Sequence, residues 1–266
     1  MSEEPLKLYF VADDYGVSAE TNEAIARVCA GGIVRSVSVL AGEQCVFSPE
    51  NVRGLAGEVA FGAHLYLTDL PPLTSKLKEV AGLAGRFSKV EVLRALLLRR
   101  VSYPDVETEF AAQMDCLRAH GFELKFVDTH QNIHGMPLLL EVVRRFTRKQ
   151  GLDRALRPSW QLDFSLRLGL RALLSGMQAL RVGFRPRARV VVECPGYGVN
   201  EVPLDEALKQ WDRFLAEVKE RDYDALYVPC HPGCSSAEIK IYSSSAFLEL
   251  LRQHNVSLMN GGEELK

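Results

Sequence analysis

The sequence predicts an α/β protein folded as an irregular TIM-like β/α barrel. Three observations carry that expectation. Short apolar, β-branched or aromatic runs alternate with segments of helical period along the 266 residues, the pattern of parallel βαβ units. Polar clusters recur where those runs stop: Asp13-Asp14, then His64, then Asp128 with His130 and His134, then His231. A barrel gathers its strand C-termini on one face, where four separated clusters become one site. An open doubly wound sheet is the alternative, and it calls for a glycine-rich phosphate turn or a switch-point cleft that the sequence does not display.

Taken in order, Leu6 to Ala12 reads as a fully buried strand, ended by the turn chemistry of Asp13-Asp14-Tyr15-Gly16. Ser18 is the N-cap of a helix over Thr21 to Ala30, which Gly31-Gly32 stops. Ser36 to Ala41 is the next strand, followed by a loop and a short helix around Glu50 to Leu55. Glu58 to Leu67 is the third strand, with His64 near its end. From about 68 to 103 runs a loop insertion holding Pro71-Pro72, Gly82, Gly85 and the basic group Arg94, Arg99 and Arg100, which is read as a solvated helix face. Connections of that length in compact domains are usually lids or binding loops.

Val106, Phe110, Met114 and Leu117 share one helical face over Val106 to Ala119, and Gly121 closes the helix. Phe122 to Val127 is strand four and leads into Asp128-Thr129-His130-Gln131-Asn132-Ile133-His134. Pro137 suits the first turn of a helix over Leu138 to Gln150. A strand over Ala155 to Trp160 precedes a mostly helical region from Leu162 to Val182, where Arg167 and Arg171 lie on an amphipathic outer helix. Arg189 to Glu193 is a strand ending in the loop Cys194 to Gly198. A helix over Leu204 to Lys219, a strand over Ala225 to Cys230 ending at His231-Pro232-Gly233, a helix over Ala246 to His254 and a strand over Val256 to Met259 complete one domain spanning 1–266.

Composition narrows the function. A hydrophobic content of 47% is ample for a buried core, and a net charge of −2 argues against a nucleic-acid partner, which normally requires a basic excess. No apolar run approaches the roughly 18 residues that span a bilayer, and the acidic start, Met1-Ser2-Glu3-Glu4-Pro5, lacks the features of a signal peptide, so a cytoplasmic protein without a membrane span is expected. Six cysteines are read mostly as small buried hydrophobes. Cys230 and Cys234 form one C-x3-C pair without the second pair that a structural zinc knuckle needs.

Asp14, His64 and His130, brought together from three strand ends, would give one carboxylate and two imidazoles around a divalent metal with open positions, the composition of a catalytic site. Zinc suits these ligands best, non-haem iron shares them, and a harder ion such as magnesium stays open. A zinc-bound water loses its proton near neutral pH and becomes a nucleophile without further cofactor. Asp13 cannot share a face with Asp14 along a regular strand, because successive side chains alternate, but a turning chain lets both reach one cavity. There Asp13 is a natural general base. His231 is a second proton-transfer group, a polariser of a reacting carbonyl, or simply a turn residue before Pro232-Gly233. Asp128 is expected to orient a histidine through its ring N–H. His134 is open between fourth ligand, substrate contact and support behind the ligands.

Val11-Ala12-Asp13-Asp14-Tyr15-Gly16, Gly62-Ala63-His64-Leu65, Asp128-Thr129-His130 through His134, and His231-Pro232-Gly233 resemble, in order and spacing, the signatures of the YdjC/ChbG-like carbohydrate deacetylases. Leu67-Thr68 through Gly82, Gly85 and Phe87 resembles that family's loop after the third strand. The resemblance covers nearly the whole chain. It implies an irregular β/α barrel, a divalent metal on the residues matching Asp14, His64 and His130, a base matching Asp13, a late site histidine matching His231, a homodimer, and hydrolysis of the acetamido group of an N-acetylated amino sugar or chitooligosaccharide. Two departures stand out: Tyr15 replaces a common Phe, and Asn132 stands where many members carry His, which bears on substrate preference. The rival expectations are another metal-dependent amidohydrolase or phosphoesterase, an iron oxygenase, and a non-catalytic sugar-binding barrel.

Overall fold

The computed structural model describes residues 4–47, 59–136, 138–152, 161–162, 188–191, 202–220 and 225–263. The elements in chain order are β1 (Leu6–Tyr15), α1 (Ala19–Ala30), β2 (Ser36–Val39), β3 (Ala60–Leu65), α2 (Ser75–Ala81), α3 (Lys89–Leu97), α4 (Tyr103–Ala119), β4 (Leu124–Thr129), a 3-10 segment His130–Gly135, α5 (Leu140–Lys149), β5 (Gln161–Leu162), β6 (Ala188–Val191), α6 (Leu204–Glu220), β7 (Ala225–Cys230), α7 (Ser236–Tyr242), α8 (Ser245–Gln253) and β8 (Val256–Leu258). The expected helix near Glu50 to Leu55, Pro137, the strand over 155–160 and the Cys194 to Gly198 loop lie outside the described residues, as does the helix expected over Leu162 to Val182 except for its first residue, which is instead in strand β5, paired with Val191 of β6.

Among the described residues every strand pairing is parallel, in the order β4-β3-β2-β1-β7-β6-β5, with β8 added to the first residues of β1. The result is the expected α/β class: parallel strands curled as a TIM-like half-barrel. β1 is its axis. Its residues 7–12 pair with β7, and Leu6 to Leu8 pair with β8 on the edge that β2 takes over from Val11 onward. Both faces of β1 are buried, as a parallel strand under crossover helices requires. Phe10 faces the helical layer, with ring centroids 5.9 Å from Trp211 on α6, 5.2 Å from Tyr242 on α7 and 6.0 Å from Phe247 on α8. Tyr9 points the other way and stacks on Tyr227 at 4.5 Å, while Val11 clusters with Ala60 and Phe126. By the two-residue period, Asp13 continues the inner row of Tyr9 and Val11.

Four expectations about element limits need correction. β1 does not stop at Ala12 but runs through both aspartates to Tyr15, held by Tyr15 pairing with Val39. β4 likewise extends through Asp128 and Thr129, because His64 and Leu65 of β3 are their register partners. The 68–103 insertion is not one loop, since it contains α2 and α3. α4 also begins before Val106: Ser102 accepts from the Asp105 N–H while Asp105 accepts from the Ser102 N–H, a capping box that apolar spacing alone does not reveal. Gly62, next to the site, is required by packing, since a Cβ there would overlap the Phe126 ring.

Candidate metal centre

Asp13 and Asp14 occupy an irregularity in β1, where the register against β2 shifts between Ala12 and Tyr15 and Asp14 adopts φ 69°. An L-residue pays for that left-handed conformation in strain, and aspartate tolerates it better than most. The break in alternation lets consecutive acids approach the same imidazole. Asp14 Oδ1 lies 3.4 Å from His64 Nε2, and Asp13, His64 and Asp128 bring donor atoms within 4.8 Å of one another. The following turn is pinned from α1: the Gly16 N–H donates to buried Asn22 Oδ1 at 2.7 Å, and Asn22 Nδ2 donates to the Val46 carbonyl at 2.8 Å.

His64 and Asp128 are register partners on β3 and β4, so their side chains share a sheet face. His64 Nδ1 is 2.5 Å from Asp128 Oδ1, and Ser38 on β2 donates its hydroxyl to the same oxygen. All three are buried. Burial disfavours the imidazolium, but the Asp128 and Asp13 charges and the hydrogen bonds to Asp128 and Asp14 outweigh it and push His64 up to about 10. Burial also pushes the Asp14 carboxyl up, yet hydrogen bonds and charge from His130 and His64 hold it well below the usual carboxylate range. The centre therefore combines an ionised carboxylate with an imidazole that prefers a positive neighbour at Nε2. A cation meets the same demand as that proton.

His130 directly follows β4, with Nδ1 3.1 Å from Asp14 Oδ1 and Nε2 3.2 Å from Asp69 Oδ2. Gln131 donates to the same Asp69 oxygen. Asp69 escapes sequence reading, because between Thr68 and Leu70 it looks like an ordinary turn acid. Its segment is anchored by two buried polar residues of α4. Glu109 accepts from the Leu73 N–H at 2.8 Å, the Thr74 N–H at 2.9 Å and the Thr74 hydroxyl at 2.7 Å. Gln113 accepts from the Tyr66 N–H at 3.0 Å and donates to the Tyr66 carbonyl at 2.9 Å. Two polar residues four apart on an otherwise apolar helix face were the available signal.

His231 follows β7 and places Nε2 3.8 Å from Asp13 Oδ2. Its backbone N–H donates at 2.5 Å to Glu238, a buried carboxylate on α7 that sequence reading also missed. The spacing Ser235-x-x-Glu238 suggests a capping box, and Ser235 does accept from the Glu238 N–H, but the Glu238 carboxylate turns to His231 instead. Burial pushes Glu238 up to about 7, opposed by the His231 hydrogen bond and assisted by the Asp13 charge.

The remaining expected residues fall around this centre. His134 is fully buried with Nδ1 2.5 Å from Thr129 Oγ1, and it is outside both donor clusters. Asn132 sits half-buried at φ 52° in the 3-10 segment. Tyr15 is fully buried and meets Phe122 in a T-shaped ring contact. Cys230 is buried with its thiol toward the Val11 carbonyl, whereas Cys234 is exposed. Trp160 and Tyr197, which their positions in the sequence suggest for substrate specificity, lie outside the described residues.

The donor set fits a divalent cation. Asp14, His64 and His130 converge within 4.8 Å, and the separations of 3.1 and 3.4 Å from Asp14 Oδ1 to the two imidazoles are those of neighbouring ligands on one ion. Bonds of about 2.1 Å place adjacent ligands roughly 3.0 Å apart in an octahedron and roughly 3.4 Å apart in a tetrahedron. Each histidine has its second ring nitrogen against a carboxylate, the usual support for a metal-ligating imidazole.

Fold and centre together define a parallel β/α half-barrel carrying an Asp/His cluster able to bind a metal at its strand C-termini. The chain belongs to the YdjC-like protein family, whose pattern it matches over residues 7–262. It is 30% identical over 148 residues to carbohydrate deacetylase 1 of Listeria innocua, covering 56% of this chain and 60% of that protein. It is 24% identical over 147 residues to a carbohydrate deacetylase of Clostridium beijerinckii, covering 55% and 58%. These matches thus span about three fifths of each relative's length. A crystal structure from Enterococcus faecalis V583, named for a proposed role in cellobiose-phosphate cleavage, superimposes with a TM-score of 0.70 at 22% identity, covering 97% of this chain and 98% of that one. Among the described residues no helix is long and apolar enough to cross a membrane.

Proposed function

We propose that the protein is a metal-dependent carbohydrate N-deacetylase that hydrolyses the acetamido group of an N-acetylated amino sugar or short oligosaccharide. The single observation that carries this is the pairing of a three-donor cluster, Asp14, His64 and His130, with a further acid–imidazole pair, Asp13 and His231, in the same strand-end mouth. The names of the relatives support the same reading.

A divalent cation on Asp14, His64 and His130, zinc by first choice and magnesium by second, supplies Lewis acidity toward a carbonyl oxygen and acidifies water. The protein's own groups do the rest. Asp13 is the base that takes a proton from the attacking water. Water oxygen bonds to the acetyl carbon, the C–N bond breaks, and His231 delivers a proton to the departing amine, leaving acetate and a free amino sugar. Glu238 fixes the His231 backbone, while Asp128 and Ser38 hold the His64 ring so that Nε2 faces Asp14.

Acetate release from N-acetylglucosamine and chitooligosaccharides, measured on chelator-stripped protein with and without added zinc or magnesium, tests the assignment. Metal-dependent release that disappears in His130→Ala supports it. Stoichiometric metal uptake without acetate from any of these sugars overturns it and directs attention to other amides and to phosphoesters.

A further inference from the structure

The segment between α2 and α4 exposes aliphatic and cationic side chains that the centre does not use. Leu83 is 110% exposed on a tight turn, with Gly82 and Gly85 at positive φ on either side. On α3, Val90 and Leu97 are 75% and 66% exposed, and Leu98 just beyond is 59% exposed. Val90 and Leu97 are seven apart and therefore lie on one helix face, while Val92, Ala95 and Leu96 are buried on the opposite one. A helix that satisfies its core with one face and still displays leucine and valine on the other has a second apolar contact to make.

The charges around these side chains identify its chemistry. Between Gly82 and Arg100 the sequence has five cations, Arg86, Lys89, Arg94, Arg99 and Arg100, and one acid, Glu91, in a chain whose net charge is −2. All five cations are exposed. Glu91 is engaged in the α3 capping box with Ser88, and none of the four arginines makes an ion pair among the described residues. Exposed aliphatic side chains interleaved with unpaired guanidinium groups match an interfacial helix, whose apolar side enters the headgroup boundary while long basic side chains reach anionic phosphates. Tyr103, 42% exposed at the start of α4, adds the amphipathic ring favoured at that depth. A protein partner would more often be met by buried aromatic and methionine anchors.

We propose that this segment, from Leu83 through Leu98 with its flanking arginines, docks the protein on the surface of an anionic lipid bilayer. Docking has a consequence for the centre. Ala84, Gly85 and Arg86 also line a groove of about 370 Å³ together with Asp69, whose carboxylate reaches His130. A protein seated through Leu83 and α3 therefore has this groove, and the approach to His130, beside the membrane surface. The proposal concerns where the protein binds and is independent of the reaction assigned to it.

Co-sedimentation of the intact chain with phosphatidylcholine vesicles and with vesicles containing phosphatidylglycerol tests it. Binding is expected only to the anionic vesicles and is expected to weaken with added salt. Each basic residue at an anionic surface contributes roughly fivefold in partitioning, so Arg99→Gln/Arg100→Gln should reduce binding by about tenfold or more. Leu83→Ser/Leu97→Ser should cause a comparable loss, with metal uptake and circular dichroism unchanged in both variants. Absence of binding to anionic vesicles, or binding that neither variant reduces, overturns the proposal. So does a dimer in solution that Leu83→Ser/Leu97→Ser dissociates, because a second copy then covers this face.

Discussion

His64 Nδ1 lies 2.5 Å from Asp128 Oδ1, and this contact, with Ser38 bound to the same carboxylate oxygen, leaves Nε2 of His64 turned toward Asp14. Supporting partners of this kind typically set metal affinity by about 10- to 100-fold. Asp128→Asn should bind zinc weaker by that factor, read by competition with a chromogenic chelator, while thermal unfolding of the metal-free protein stays cooperative. Wild-type affinity in Asp128→Asn would mean that the ring orientation does not depend on this carboxylate.

Asp13 lies on the inner row of β1, 3.8 Å from His231, and shares a second donor group with His64 and Asp128. Asp13→Asn keeps the size and removes the base, so turnover should fall by about 10²- to 10⁴-fold with metal stoichiometry intact. Loss of the metal along with activity would instead identify Asp13 as a ligand.

Glu238 makes stability depend on pH. Its carboxyl is pushed from 4.5 to about 7 in the folded protein, chiefly by burial, so the folded state binds the proton more tightly than the unfolded state. The contribution is fully present below pH 4.5 and is lost as pH rises through about 7, with an upper magnitude of about 3 kcal/mol. Urea unfolding of the wild type and Glu238→Gln between those limits should show a steeper decline with pH in the wild type. Parallel curves would mean that Glu238 does not hold the proton.

Glu109 secures the Asp69 segment through three hydrogen bonds to Leu73 and Thr74. Glu109→Ala leaves these donors and Gln113 to find new partners, and should lower unfolding free energy by about 3 kcal/mol. The more informative variant is Asp69→Asn, which should leave stability within about 0.5 kcal/mol because Asp69 is half-exposed, yet weaken metal affinity through His130. Unchanged affinity would detach Asp69 from the centre.

The class of fold was legible in local sequence, because buried parallel strands and amphipathic crossover helices leave distinct periodicities. The Ser18 cap of α1, the limits of β7 at Ala225 and Cys230, and the gathering of polar residues at strand ends all follow from signals within a few residues. The Asp14, His64 and His130 cluster was legible for a different reason: a barrel forces strand ends together whatever lies between them.

What local sequence misjudged were positions where distant pairing overrides propensity. Asp13-Asp14-Tyr15-Gly16 has the composition of a turn, yet pairing with Val39 keeps β1 running to Tyr15, and the strain appears instead as the positive φ of Asp14. Asp69 and His130 are 61 residues apart, and their contact depends on Glu109 holding the intervening segment against α4. Glu238 offered a local capping role that the tertiary structure replaced with the His231 backbone. Sequence alone determined the alternation of strands and helices, most of the described strands, helices α1, α4, α5, α6 and α8, and the chemical types available at the strand ends. The tertiary structure decided which atoms of those residues face one another, because orientation is fixed by hydrogen bonds and register between segments that no local pattern connects.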